Sequence, residues 1–184
     1  MENQNSQSSE EIVEGLIGEY STRVYSFCLR LCGNSTDADD LFQQTFLCTF
    51  RNRAKLDMSR EPLSYIFKIC VLQYKNMRRK NARRMAIAPE IYIDDENTPE
   101  IASQDDTEKT VLDKFLREEI RKATMSLEDK YRIPVLLYYN QSRSVSEIAD
   151  ILKCPVGTVK SRLFTARNKI KEKLEVLGYD GKEA

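Results

Sequence analysis

Among the 184 residues there is no histidine. That excludes His-based catalytic triads, in which an imidazole serves as general base. Glycine is scarce, with six residues, and none of them builds a glycine-rich phosphate loop. No stretch approaches the ~18 consecutive apolar residues of a membrane span. Met1 to Glu11 is polar and acidic, unlike a signal peptide. Strand signals are nearly absent as well. Paired carboxylates such as Asp39-Asp40 do exist, but neighbours on a helix point about 100° apart and do not converge on a substrate. These absences argue against an enzyme and for an all-α, cytoplasmic protein.

Net charge is missing too, since 29 basic residues balance 29 acidic ones. The distribution is informative where the sum is not. From Lys75 to Arg84 every charge is positive, and from Glu90 to Glu108 every charge is negative. The stretch from Arg143 to Lys173 is basic again. Such segregation suits a part that binds a polyanion and an acidic tether. The five cysteines, Cys28, Cys32, Cys48, Cys70 and Cys154, fall mostly within apolar helical patterns, where a reduced thiol packs as a small hydrophobe. Cys28 and Cys32 are one helical turn apart, as two metal ligands would be. Without histidine or a second close cysteine pair, packing is the favoured role and no cofactor is expected.

What is present is helix. A capping box at Ser8-Ser9-Glu10-Glu11 precedes an apolar period through Ile12, Leu16, Tyr20, Val24, Phe27 and Leu31, which Gly33-Asn34 should end. Thr36 with Asp39 forms a second box, opening a helix from about Asp37 to Arg53. Pro62 suits the first turn of a third helix reaching about Arg84. Residues 85–107 lose the period and hold Pro89, Pro99 and the acidic run, as a mobile linker would. Helical signals return near Thr110, through Val111, Phe115 and Ile120. Ser126 with Asp129 should cap a further helix containing Pro134. The expected architecture is therefore a helical domain at 1–85, a flexible acidic linker at 86–109 and a second helical domain at 110–184.

Near the C-terminus, Ser144 and Glu147 form a capping box for a short helix ending at Lys153-Cys154. Pro155 turns the chain, and a new helix runs from about Val156 to Lys173. Two helices joined so tightly, the second basic and polar near its start, outline a helix-turn-helix. On a helical wheel Val159, Leu163, Ala166, Ile170 and Leu174 form one inward stripe. Ser161, Phe164, Thr165 and Asn168 lie opposite, with Lys160 and Lys171 beside them. Phe164 suits a thymine methyl, while Lys160, Ser161 and Thr165 suit base edges or phosphate. Arg162 and Arg167 flank the core stripe, where phosphate contact is the natural one. The same pattern also fits an ordinary surface helix with a solvated basic face.

The N-terminal domain has two further asymmetric faces. Asp40, Gln43, Gln44, Leu47 and Arg51 share a stripe opposite Leu41, Thr45 and Cys48. It fits a partner helix or a solvated face. In the third helix Tyr65, Lys68, Leu72 and Arg79 face away from Ile66, Ile69, Cys70 and Met77. Aromatic and basic residues together suit a nucleic-acid strand with stacked bases, although Tyr65 could equally be half-buried.

Two of these segments resemble a known family. Asp37-Ala38-Asp39-Asp40-Leu41-Phe42-Gln43-Gln44-Thr45-Phe46 is similar to the polymerase-binding helix of bacterial sigma factors. Val156-Gly157-Thr158-Val159-Lys160-Ser161-Arg162-Leu163 is similar to their DNA-reading helix, with Ser146-Glu147-Ile148-Ala149 before it. The size and two-domain layout resemble the extracytoplasmic-function (ECF) group, over about Ile12 to Leu177.

The resemblance implies a factor that binds core RNA polymerase and directs it to promoters. The first domain would dock on the largest subunit through Asp40, Gln43, Gln44 and Leu47. It would hold the melted −10 element with Tyr65, Lys68, Leu72 and Arg79 and with a base-capturing loop between Lys55 and Ser64. The second would rest on the second-largest subunit and read the −35 element with Lys160, Ser161, Arg162, Phe164, Thr165 and Arg167. The acidic linker would lie in the basic RNA-exit path. An anti-sigma protein, often membrane-anchored in this group, would complete the partners. Gln44 stands where glutamate is usual, Tyr65 for tryptophan, Leu72 for asparagine, Asn76 for aspartate and Thr165 for a basic residue. The alternative is a free-standing helix-turn-helix regulator that uses only its C-terminal domain.

Overall fold

The computed structural model describes residues 2–56, 61–87 and 110–179, and among them there are seven α-helices and no strand. These are α1 (Glu2–Cys32), α2 (Ser35–Arg51), α3 (Pro62–Ile87), α4 (Thr110–Met125), α5 (Asp129–Val135), α6 (Val145–Leu152) and α7 (Val156–Val176). A 3-10 turn, Arg53–Lys55, follows α2, and a π turn, Leu136–Asn140, follows α5. The chain forms two compact units, Met1–Pro99 and Glu100–Ala184. Apart from the end of α3, the expected linker lies outside the described residues.

In the first unit α1, α2 and α3 pack on one another. Phe27, Leu31, Leu41, Leu63, Ile66, Phe67 and Tyr74 are fully buried there. Phe27 meets Phe67 edge-on at 5.0 Å between ring centres. Each such side chain contributes about 1.5–3 kcal/mol through removal from water. The inward face of α2 also carries buried Thr45 and Thr49. Their hydroxyls donate to the carbonyls of Leu41 and Thr45 at 2.7 and 2.9 Å, so neither is buried without a partner. Cys28 of α1 and Cys70 of α3 are buried with their sulfurs 3.7 Å apart. The Cys70 thiol beside it and burial push the Cys28 thiol far above its ordinary range, which fits the packing role expected of it.

In the second unit α4 and α5 pack on α7, and α6 packs on α7. Ile133, Leu137, Ile148 and Val159 are fully buried. Two buried arginines close the turns. Arg132 donates to Asp129 at 2.6 Å and to the Met125 carbonyl at 3.0 Å. Arg143 donates to Glu147 at 2.8 Å and to the Gln141 carbonyl at 3.1 Å. Both thereby carry their charge inside with a carboxylate partner.

Three helix starts differ from expectation. α1 runs from Glu2 through Ser8 rather than beginning there. Serine costs a helix only a few tenths of a kcal/mol more than the best formers, so an internal capping signal does not halt it. α2 is capped by Asn34, not Thr36. Asn34 is extended (φ −140, ψ 156) and its side chain accepts from the Asp37 amide at 2.8 Å. The cause is Gly33, whose φ of 81 ends α1 left-handed and brings Asn34 directly to the next helix start. α5 has Glu128 at its cap position, with no side-chain cap bond. Ser126 instead donates back to the Ala123 carbonyl at the end of α4, and Asp129 holds Arg132. Beyond Pro134, which has no amide hydrogen to give, the helix widens into the π turn.

Candidate nucleic-acid and protein interfaces

The helix-turn-helix is built by α6 and α7. Ser144 and Glu147 form a reciprocal capping box: the Ser144 hydroxyl accepts the Glu147 amide at 3.2 Å and Glu147 accepts the Ser144 amide at 2.8 Å. α6 ends at Lys153 in the left-handed conformation (φ 51), and the Cys154 amide returns to the Ala149 carbonyl. Pro155 then starts α7 with no side-chain cap.

The inward stripe of α7 is Val159, Leu163 and Ala166, all buried, continued by half-buried Ile170 and Leu174. The opposite face carries exposed Lys160, Ser161, Phe164 and Asn168, with Arg167 exposed at its edge. Phe164 is 65% exposed. Thr165 and Arg162 are half-buried, so both sit nearer the core margin than the rest. The Ser161 hydroxyl donates back to the Thr158 carbonyl at 3.0 Å, which leaves it able to accept.

Several other cations of this unit are matched with carboxylates. Arg121 pairs with Glu118, Lys122 with Glu119, Lys130 with Glu128, Arg132 with Asp129, and Arg143 with Glu147. Arg167 is held differently. Its Nε donates to the Tyr139 hydroxyl at 2.7 Å, and its guanidinium lies 5.7 and 5.9 Å from the ring centres of Tyr139 and Tyr138. Sequence reasoning missed both tyrosines. Their place depends on the π turn, which departs from 3.6 residues per turn, so no helical wheel locates them.

In the first unit, α2 exposes Asp40, Gln43, Gln44, Leu47 and Arg51 together, and buries Leu41 and Thr45 opposite. Leu47 is 47% exposed within that polar stripe. Asp39 flanks the face and accepts the Tyr25 hydroxyl at 2.8 Å, tying α2 to α1. On α3, Leu72 and Arg79 are exposed, whereas Tyr65 and Lys68 are half-buried. Burial, and then the nearby Cys48, push the Tyr65 phenol above its ordinary value, so its hydroxyl stays protonated. Asn76, Arg79, Lys80, Arg83, Arg84 and Ile87 line a shallow open hollow along α3, a basic surface rather than an enclosed substrate pocket. Between Lys55 and Ser64 the expected base-capturing loop lies partly outside the described residues.

Two separate helical units, one with an acid-and-amide face and the other with a helix-turn-helix, match two family models in the same order. Residues 16–84 match sigma-70 region 2, and residues 117–170 match sigma-70 region 4. The chain belongs to the sigma-70 family of RNA polymerase sigma factors, in its ECF group. It is 28% identical over 172 residues to the ECF RNA polymerase sigma factor SigW of Bacillus subtilis, covering 88% of each chain. It is 30% identical over 160 residues to the ECF RNA polymerase sigma factor SigE of Mycolicibacterium smegmatis, covering 86% of this chain and 60% of that one. Among solved structures, the fold is shared with the sigma factor RpoE of Bartonella quintana, crystallised with the anti-sigma factor NepR. The TM-score is 0.71 at 23% identity, over 89% of this chain and 96% of that one. It is shared also with CnrH, solved with the cytosolic domain of CnrY, at a TM-score of 0.65 and 16% identity, over 93% and 94%.

Proposed function

We propose that this protein binds core RNA polymerase and directs it to a specific set of promoters, from the cytoplasm and without a catalytic step of its own. The carrying observation is the pairing, within one chain and in family order, of the exposed face of α2 with the open face of α7. Asp40, Gln43, Gln44 and Leu47 dock on the largest subunit. Tyr65, Lys68, Leu72 and Arg79 hold the melted −10 element, where an aromatic ring and cations serve bases and phosphates. Lys160, Ser161, Arg162, Phe164, Thr165 and Arg167 meet the −35 duplex in the major groove, and that unit rests on the second-largest subunit. The functional division follows residues 1–85 and 110–184, with 86–109 as the tether. No helix among the described residues is long and apolar enough to cross a membrane.

The test is run-off transcription with core polymerase over a genomic library. A defined promoter set is expected, and failure to bind core polymerase would overturn the proposal. A free-standing regulator would instead bind specific DNA tightly without polymerase. Phe164→Ala should weaken −35 recognition by about 1 kcal/mol or more, and unchanged promoter preference would remove Phe164 from the reading set.

The two solved structures named above are complexes, with NepR and with the cytosolic domain of CnrY. That supports control of this chain by an anti-sigma protein, soluble or membrane-anchored. Exposed Leu47 and Phe164, with half-buried Tyr65, are the side chains such a partner would cover. Co-purification from the native cell is expected to recover it, and a chain always recovered free would refute this part.

A further inference from the structure

Arg167 differs from the ion-paired arginines of its unit in the group that holds it. Arg121, Arg132 and Arg143 each donate to a carboxylate, which cancels their charge at short range. Arg167 donates through Nε to a neutral phenol, the Tyr139 hydroxyl, at 2.7 Å. Its guanidinium packs against two rings, those of Tyr139 and Tyr138, which stand edge-to-face with centres 5.0 Å apart. A phenol fixes a guanidinium without neutralising it, and ring faces add cation–π attraction. The Nη donors, which form the fork that matches two phosphate oxygens, are not used in this bond.

Arg167 lies about two turns after Lys160 on the same edge of α7, and Phe164 lies between them on the exposed face. Tyr139 is itself 55% exposed, so the bond it accepts from Arg167 lies at the protein surface. A mobile arginine loses rotamer freedom when it grips a phosphate; one already held does not. The geometry points to Tyr139 as a positioning residue that presents the Arg167 fork to a backbone phosphate of the DNA duplex on α7. Tyr138 adds a second ring beside the Arg167 guanidinium. This rests on the reading of α7 given above and assigns a role to a residue outside the recognition helix.

The test uses holoenzyme formed from the full chain and core polymerase, on a promoter recovered by run-off transcription. Promoter affinity is measured over a salt series for wild type, Phe164→Ala, Arg167→Gln, Tyr139→Phe and the Tyr139→Phe/Arg167→Gln double variant. Arg167→Gln should weaken binding roughly three- to ten-fold across sequences and reduce the slope of log affinity against log salt by about 0.9. Tyr139→Phe keeps the ring and the arginine charge, so it should weaken binding about two- to four-fold and leave the slope nearly unchanged. The double variant should be no weaker than Arg167→Gln alone, because Tyr139 acts through that arginine. A Tyr139→Phe loss that persists in the Arg167→Gln background, or tracks a fall in melting temperature, overturns the proposal, as does no loss at all. If Phe164→Ala weakens binding while Tyr139→Phe does not, only this inference fails. If no promoter is recovered, the functional reading fails and takes it along.

Discussion

Helices α2 and α7 answer the same architectural demand with opposite chemistry. Each buries one stripe, Leu41 and Thr45 in α2, Val159 and Leu163 in α7, and each presents a polar face with a large apolar residue in it. On α2 that residue is Leu47 among Asp40, Gln43 and Gln44; on α7 it is Phe164 among Lys160, Ser161 and Asn168. A face that carries a carboxylate repels a polyanion, whereas a face with a lysine and no carboxylate attracts one. Their first turns differ too. Asn34 closes the start of α2, whereas α7 opens on Pro155 with no side-chain cap and exposed Val156 and Gly157. Amides left open at a helix start favour an anion, so the proposed difference in partners extends to the helix ends as well as the faces.

The strongest way to break this comparison is to collapse one unit at a time. Leu41→Ala and Leu163→Ala each remove a nearly fully buried side chain, at 1% and 3% exposure. Each should cost about 2–5 kcal/mol, read by thermal melting. Leu163→Ala should abolish −35 recognition yet leave polymerase capture by the first unit, whereas Leu41→Ala should abolish polymerase capture and, with it, promoter-directed transcription. Loss of polymerase capture from Leu163→Ala would mean that the two faces do not work separately.

A finer cut leaves both folds intact. Leu47→Glu alters an exposed position, so stability should stay within about 0.5 kcal/mol. Core-polymerase affinity should nevertheless fall at least roughly ten-fold, about 1.4 kcal/mol, in a titration with labelled core enzyme. Unchanged affinity would make the α2 face a solvated surface and nothing more.

How far these faces were legible depends on what carried the signal. The 3.6 period read out the α7 stripe residue by residue, because Val159, Leu163 and Ala166 must share a side on any straight helix. The same holds for Leu41 and Thr45. Caps were less legible. Thr36 and Ser126 have suitable side chains, but Gly33 and the end of α4 decide where the chain turns, and that is a backbone matter. Tyr138 and Tyr139 were not legible at all, since a π turn after Pro134 rotates them away from any helical expectation. Phe115 illustrates a related limit. It belongs to an apolar pattern yet is half-exposed and stacks on Tyr179 near the far end of α7, a long-range contact that no local period encodes.

Gly157 sharpens the contrast between the two helix starts. It lies in the first turn of α7, and a Cβ built there meets nothing within 4 Å. The fold therefore gains nothing from glycine at this position, and glycine in a helix costs up to about 1 kcal/mol against alanine. Gly157→Ala should leave the melting temperature unchanged or slightly raised. If the backbone here approaches DNA, the same variant should weaken promoter binding by roughly 0.5–1 kcal/mol, a few-fold. Wild-type binding by Gly157→Ala would place the DNA farther from this turn.

The smallest effect concerns what holds α7 in place. Lacking a side-chain cap of its own, α7 is positioned through the tight turn from α6, whose box centres on Glu147. Burial alone would raise the Glu147 carboxyl, but hydrogen bonds from the Ser144 hydroxyl and amide, together with Arg143, outweigh it and hold the carboxyl below its ordinary value. A depressed folded value means that its stabilisation is present above the unfolded value of about 4.3 and is lost as pH falls through the lower, folded one. Glu147 is 37% exposed, so solvent screening reduces the contribution to about 0.5 kcal/mol. Glu147→Gln can keep the capping geometry but not the titration. Its stability should therefore fall less steeply than that of the wild type below about pH 4.3, with near-equal melting at pH 7. An unchanged acid limb in Glu147→Gln would show that this carboxylate is not part of what seats α7.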